Sequence, residues 1–150
     1  MTKHARISCR GLLVHEGKIL LLNIDDREYW NAPGGGYKAA DASMSETVIR
    51  EMKEEAGMDV VVEHMVYVQE FQSEKQASLV LFYLVSPKDP SQYKEFVIDP
   101  DNPERKTRLK WFEIDGEEYK SIRFLPETLQ KDLHEVIQNK SPLFTSNVKQ

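Results

Sequence analysis

The chain holds one cysteine, Cys9, in 150 residues. An intrachain disulfide and a cysteine-rich zinc site are therefore excluded, which suits a reducing compartment. Long apolar runs are missing as well. The longest, residues 79–85, has the length of a strand and falls far short of the ~20 residues a membrane-spanning helix requires. Lys3 and Arg6 near the start lead into no apolar segment of secretory type, so cytoplasmic residence without a membrane partner is the expectation. Positive charge is in deficit, 20 Lys and Arg against 25 Asp and Glu. A protein built to grip a nucleic-acid backbone shows the reverse balance, so nucleic acid is a disfavoured partner. The four histidines, His4, His15, His64 and His134, lack metal-ligand spacing. No repeat, low-complexity block or central linker interrupts the chain.

What remains is an ordinary globular composition, 40% apolar and 30% charged. A chain of this length buries about 68–70% of its unfolded surface. One domain over residues 1–150 is expected, with its core in about 6–138 and a weakly tied, flexible tail over 140–150.

Residues 6–14 and 18–24 are apolar and β-compatible, with His15-Glu16-Gly17 between them as a tight turn, so they predict a hairpin. Pro33 followed by Gly34, Gly35 and Gly36 predicts an irregular loop with unusual backbone angles. Ser43-Met44-Ser45-Glu46 matches a capping box and Gly57 suits the residue after a helix end, so a helix is expected over 44–56. Residues 59–72 and 77–85 read as strands. Residues 86–108 carry four prolines and predict a long loop holding one short strand at 95–98, the kind of loop that usually has a function. A strand at 109–114 and a helix at 126–138 complete a mixed α/β layer architecture.

The helix over 44–56 is the informative segment. Glu51, Glu54 and Glu55 fall within a sector of about 100° on its surface. Val48, Ile49, Met52 and Ala56 occupy the adjacent, core-facing sector. Like charges four residues apart cost roughly 0.2–0.5 kcal/mol per pair. Arg50 offsets part of that, and a hard divalent cation would offset more. Glutamates on a helix are ordinarily a solvated face, and a glycine-rich loop alone is ordinarily a turn. Their joint spacing is the signal.

Residues 36–58 resemble the Nudix box, G-x5-E-x7-R-E-U-x-E-E-x-G-U, with U a bulky aliphatic. Gly36, Arg50, Glu51, Met52, Glu54, Glu55, Gly57 and Met58 fall in register. The one departure is Ala42, where the box has glutamate, with Asp41 one residue earlier. Either Asp41 stands in for that carboxylate or the site lacks one acidic group. The likeness extends over roughly residues 6–138.

This resemblance implies an α/β/α sandwich with a mixed sheet, and hydrolysis of the pyrophosphate in a nucleoside diphosphate linked to a further group X. It implies Mg²⁺ or Mn²⁺ held mainly by Glu51 and Glu55, Glu54 as a further ligand or base, and a backbone carbonyl of Gly35 or Gly36 as another ligand. Arg50 would hold the glutamates in place, and Glu104 would be the base or ligand from outside the box. Homodimers are common in the family. For substrate contacts, Tyr29 and Trp30 could stack on a base or serve as core, Gly35 would border the substrate, and Arg105 and Arg108 could grip a phosphate. The alternative is a catalytically weakened nucleotide-binding sensor, motivated by Ala42.

Overall fold

The computed structural model describes residues 4–148. The hairpin forms as expected, with β1 at His4–His15 and β2 at Lys18–Ile24, closed by Glu16 and Gly17 at positive φ. Then follow β3 (Gly34–Gly36), α1 (Met44–Ala56), β4 (Val60–Gln72), β5 (Gln76–Pro87), β6 (Phe96–Asp99), β7 (Asn102–Glu113), α2 (Glu117–Ser121), α3 (Glu127–Gln138) and β8 (Leu143–Ser146).

These strands build one mixed sheet in the order β6-β7-β2-β1-β5-β4-β8, with β3 paired to β1. The β1–β5 and β4–β8 pairs are parallel and the others antiparallel. Alternation along β2 sorts the core into two layers. Ile19 and Leu21 join Phe82, Phe112, Phe124, Leu129 and Leu133 on the face covered by α3. Leu20 and Leu22 join Cys9, Val48, Met52 and Met58 on the face covered by α1. The result is the expected α/β/α sandwich. Among the described residues, no helix is long and apolar enough to cross a membrane.

Three sequence expectations are corrected. The Pro-Gly-Gly-Gly segment is an added strand whose glycines pair with Ser8, Cys9 and Arg10. The 86–108 stretch is mostly ordered: β7 begins at Asn102, and its charged residues 104–106 are exposed because the strand runs past the sheet's covered centre. The expected tail supplies β8, which lies on the edge of β4. Thr145 Oγ1 donates to the Tyr67 hydroxyl (2.9 Å), and the Asn147 side chain bonds both the N–H and the carbonyl of Gln72 (2.8 and 2.9 Å). Four residues, Leu143 to Ser146, are too short a run to give a periodic signal, so edge pairing decides their state. Residues 149–150 of the expected tail lie outside the described residues.

Candidate active site

Helix α1 starts where Ser43 Oγ accepts the Glu46 N–H (3.1 Å) and stops at Gly57, whose φ of 66° only glycine adopts without strain. Between these caps the helix lies tightly on β1. A Cβ at Gly11 would come within 2.9 Å of Met52 Sδ and 3.2 Å of Val48 Cγ1. Burying Val48, Met52 and Ala56 in that contact fixes the helix rotation, turning Glu51 and Glu55 toward β3 and Glu54 toward the β6–β7 turn. There the glycines are required by space. A Cβ at Gly35 would sit 2.5 Å from Glu51 Oε1, and one at Gly34 would meet the Cys9 carbonyl oxygen at 2.4 Å.

Each carboxylate has its own setting. Glu55 is buried, and its Oε1 accepts the Gly34 N–H at 2.8 Å. Burial pushes its carboxyl up to about 7, against the pull of the Gly34 N–H and Arg10 and with the push of Glu51 and Asp99. Glu54 is partly exposed. Desolvation, then the charges of Asp101 and Glu51, raise its carboxyl above the ordinary value, against Arg50.

Arg50 organises the group. Its Nε and Nη2 donate to the two oxygens of Asp41 (2.9 and 3.0 Å). Its Nη1 donates to Glu51 Oε1 (2.9 Å) and Glu54 Oε2 (3.3 Å), and Nη2 also reaches the Gly36 carbonyl (3.3 Å). All three guanidinium nitrogens are thus engaged, in the bidentate and shared geometry that arginine alone provides. Asp41 further accepts from Thr47 Oγ1 (2.8 Å) and the Lys38 N–H (3.0 Å). Arg50 first, then these donors, hold its carboxyl far below the usual range. Asp41 supplies a carboxylate to Arg50, and Ala42 is exposed.

Two acids come from outside the helix. The tight turn between β6 and β7 carries the buried Asp99 and the exposed Asp101 to Glu54, and one oxygen from each of the three lies within 4.8 Å of the others. The Asp101 N–H bonds Asp99 Oδ1 at 2.9 Å, which fixes the turn. Asp99-Pro100-Asp101-Asn102, a turn-forming run with paired acids, was the available signal. Glu104 was the expected outside residue. It is exposed on β7 and does not border the cleft, because the tight turn presents Asp99 and Asp101 instead.

The acids open onto a cleft of about 590 Å³ that Gly34–Gly36 border, with Arg6, Arg10, Arg27, Lys38 and Arg105 also on its walls. Arg105 lies on that wall, whereas Arg108 lies over the Trp30 ring at 5.3 Å. Trp30 itself is core: it meets Phe112 edge-on with centroids 4.9 Å apart. Tyr29 is half-buried, and its hydroxyl lies 3.2 Å from Arg27 Nη1. Neither ring borders the cleft. The pairing of Trp30 with a core strand, Phe112 on β7, is a long-range fact that local sequence does not carry. Arg6, Arg10 and Arg27 were missed because strand and turn cations have no local mark of convergence.

Residues 2–137 match the NUDIX domain family. The chain belongs to the Nudix family. Solved structures share this Nudix fold. A UDP-X diphosphatase superimposes with a TM-score of 0.73 at 20% identity, over 96% of this chain and 68% of that one. An ADP-ribose pyrophosphatase from Streptococcus suis gives 0.66 at 19%, over 95% and 98%. A mutator MutT protein from Bacillus halodurans gives 0.66 at 20%, over 94% and 88%. No curated protein sequence matches the chain.

Proposed function

We infer that this Nudix protein is a pyrophosphohydrolase that cleaves the diphosphate of a nucleoside diphosphate linked to a further group, using Mg²⁺ or Mn²⁺. The observation that carries this reading is a single cleft in which Glu51, Glu54, Glu55, Asp99 and Asp101 face Arg6, Arg10, Arg27, Lys38 and Arg105. Carboxylates alone would repel a diphosphate, and cations alone would bind it without activating water. The diphosphate specificity in the names of the UDP-X and ADP-ribose enzymes supports the same substrate class.

The donor set fits a hard divalent cation: it is all oxygen, and three carboxylates converge within 4.8 Å. Such a cation, when bound, neutralises phosphate oxygens and lowers the pKa of water. Glu51, Glu54, Glu55, Asp99 and Asp101 would hold it, with the Gly35 and Gly36 carbonyls adding neutral oxygens. Arg50 fixes Glu51 and Glu54 so that their oxygens need no reorganisation. Glu54, more exposed than Glu51, is a further ligand or, through a carboxylate oxygen left free by the cation, the base that takes the proton from the attacking water. The wall arginines orient the diphosphate by charge-assisted hydrogen bonds and stabilise the charge that builds on its oxygens.

The test is a panel of UDP-sugars, ADP-ribose, oxidised nucleoside triphosphates and dinucleoside polyphosphates with each metal. Turnover of at least one compound is expected, and Glu54→Gln or Glu55→Gln should reduce it by about 10²–10³-fold. Folded protein that turns over none of them refutes the reading. A nucleotide sensor without turnover was motivated by Ala42, and the hold of Asp41 on Arg50 supports the active enzyme instead. Cytoplasmic residence and a homodimeric state belong to the same proposal. Cell fractionation tests the former, and sedimentation velocity tests the latter.

A further inference from the structure

The cations that border the cleft fall into two groups. Arg6, Arg10 and Lys38 stand by the glycine strand. Arg10 is the partner of Gly34 in the β1–β3 pair, a Cβ on Gly36 would lie 3.7 Å from Arg6 Nη2, and Lys38 follows directly on β3 and Tyr37. Arg27 and Arg105 come from another place, the end of β2 and the start of β7. A diphosphate that joins two groups carries one negative charge on each phosphorus. The cations beside β3 more than balance that charge, so Arg27 and Arg105 are in excess of it.

One clasp carries both of these arginines. Ile24 is the register partner of Thr107. Just beyond that pair, the Asp25 N–H donates to the Lys106 carbonyl and the Lys106 N–H donates to Asp25 Oδ1, both at 2.9 Å. Lys106 Nζ adds an ion pair with Asp26 Oδ2 at 2.9 Å. Asp25 and Asp26 hold φ of 56° and 55°, which residues with a side chain adopt only at a cost. The buried Asn23 spends its amide hydrogens on the same turn, donating to the carbonyls of Arg27 (2.6 Å) and Tyr29 (3.2 Å). The consequence is electrostatic. Asp25 and Asp26 directly precede Arg27, yet both carboxylates are turned to Lys106. Among the described residues neither Arg27 nor Arg105 has a carboxylate partner, and Arg27 Nη1 meets only the Tyr29 hydroxyl, at 3.2 Å. An unpaired guanidinium on a cleft wall presents a planar fork of donors that matches a carboxylate or a phosphate.

We propose that Arg27 and Arg105 bind an oxyanion, a phosphate or a carboxylate, carried by the group beyond the diphosphate, and that the Asp25–Lys106 clasp is the device that positions them for it. The proposal rests on the pyrophosphohydrolase reading for the diphosphate itself. It narrows that reading to substrates whose further group X is charged, and it makes a neutral sugar the poorer choice of X.

Matched ligands that differ by one anionic group test it: UDP-glucose against UDP-glucuronate, and ADP-ribose against ADP-ribose phosphorylated on its terminal ribose. The whole chain is titrated calorimetrically with each in EDTA, and kcat/KM is measured for each in Mg²⁺. In at least one pair the anionic member should be favoured about tenfold or more, the fold-change of a charge-assisted hydrogen bond. Arg27→Gln and Arg105→Gln should each shrink that ratio by about threefold or more. Asp25 separates positioning from charge. By Coulomb attraction alone, losing a nearby negative charge in Asp25→Ala would strengthen anion binding. With the clasp broken, the preference should instead fall by about threefold or more. Asp25→Asn should restore it, since asparagine tolerates positive φ and keeps an oxygen for the Lys106 N–H. Circular dichroism checks that each variant is folded, and the exposed Arg27 and Arg105 carry the test if Asp25→Ala unfolds. Equal treatment of both members of each pair, or an unaltered ratio in the arginine variants, overturns the oxyanion site; a raised ratio in Asp25→Ala overturns the role of the clasp. Turnover without an anionic preference leaves the hydrolase reading standing. An anionic preference in EDTA that disappears in Arg27→Gln, without turnover of any ligand in Mg²⁺, supports the oxyanion site and refutes the hydrolase reading.

Discussion

Gly35→Ala gives a sharp test of how β3 and α1 meet. The new Cβ would lie 2.5 Å from Glu51 Oε1 and 2.6 Å from its Cδ, where ordinary contact begins at 3.4 Å. The carboxylate must therefore retreat by roughly 0.8–0.9 Å, within the ~1 Å over which catalytic geometry fails. The fold should tolerate this, because the obstacle is the end of a flexible side chain and an off-rotamer glutamate costs about 0.5–1.5 kcal/mol. The site should not tolerate it, because Glu51 Oε1 is also the acceptor of Arg50 Nη1 at 2.9 Å. The expected result is a loss of about 10²-fold in kcat/KM with a weakened affinity for Mn²⁺, read by titration calorimetry. Gly36→Ala is the matched control. Its Cβ would meet nothing closer than Arg6 Nη2 at 3.7 Å, and it keeps the same carbonyl. Its loss should be at least about tenfold smaller than that of Gly35→Ala. Equal losses in the two variants, or none in Gly35→Ala, would refute the account of glycine as space for Glu51.

Other expectations follow from the same geometry. Asp41→Ala should lower Mn²⁺ affinity or kcat/KM by about tenfold to a hundredfold, since it frees the arginine that orients Glu51 and Glu54. Ala42→Glu alone should add little, because Asp41 already occupies Arg50, and a large gain from it in enzyme assays would favour the weakened-enzyme alternative. Glu55 sets a pH dependence. Its carboxyl moves from an ordinary 4.5 to about 7 on folding, so the metal-free native state binds the extra proton between those values. Stability from this group is complete below pH 4.5 and lost as pH rises through about 7, a difference of about 3 kcal/mol at most. Urea melts in EDTA at pH 5.5 and 8 should show this fall in the wild type and not in Glu55→Gln; a rise shared by both would contradict it. Mn²⁺ at a hundredfold excess over its dissociation constant should stabilise the protein by about 2.7 kcal/mol, a rise of roughly 5–10 °C in Tm for a chain of this size. That shift should be larger at pH 8 than at pH 5.5, because the cation needs the ionised carboxylate.

The helix of the site could be read residue by residue. Ser43 and Gly57 are local signals, and capping needs only neighbours within four residues, so the limits 44–56 hold in the structure. The spacing of Arg50, Glu51, Glu54 and Glu55 is likewise local, and so is the turn that closes the first hairpin. Asp99, Asp101, Arg6, Arg10 and Arg27 stayed hidden because their common feature is convergence across strands far apart in sequence. Glu104 and Arg108 lie close along the chain to residues of the cleft, but a tight turn at 100–101 directs Asp99 and Asp101 inward instead. Strand β8 was read as a tail because four residues carry no periodicity of their own, and an open sheet edge supplied the partner.

By itself, then, the sequence determined the acidic face of one helix and the alternation that layers the sheet, since both depend on fixed geometry within a few residues. Tertiary structure alone decided which carboxylate answers Arg50, which acids join Glu54, and which arginines face them across the cleft. Those relations depend on strand register and on the depth to which α1 settles against Gly11, and such quantities are set when distant segments pack.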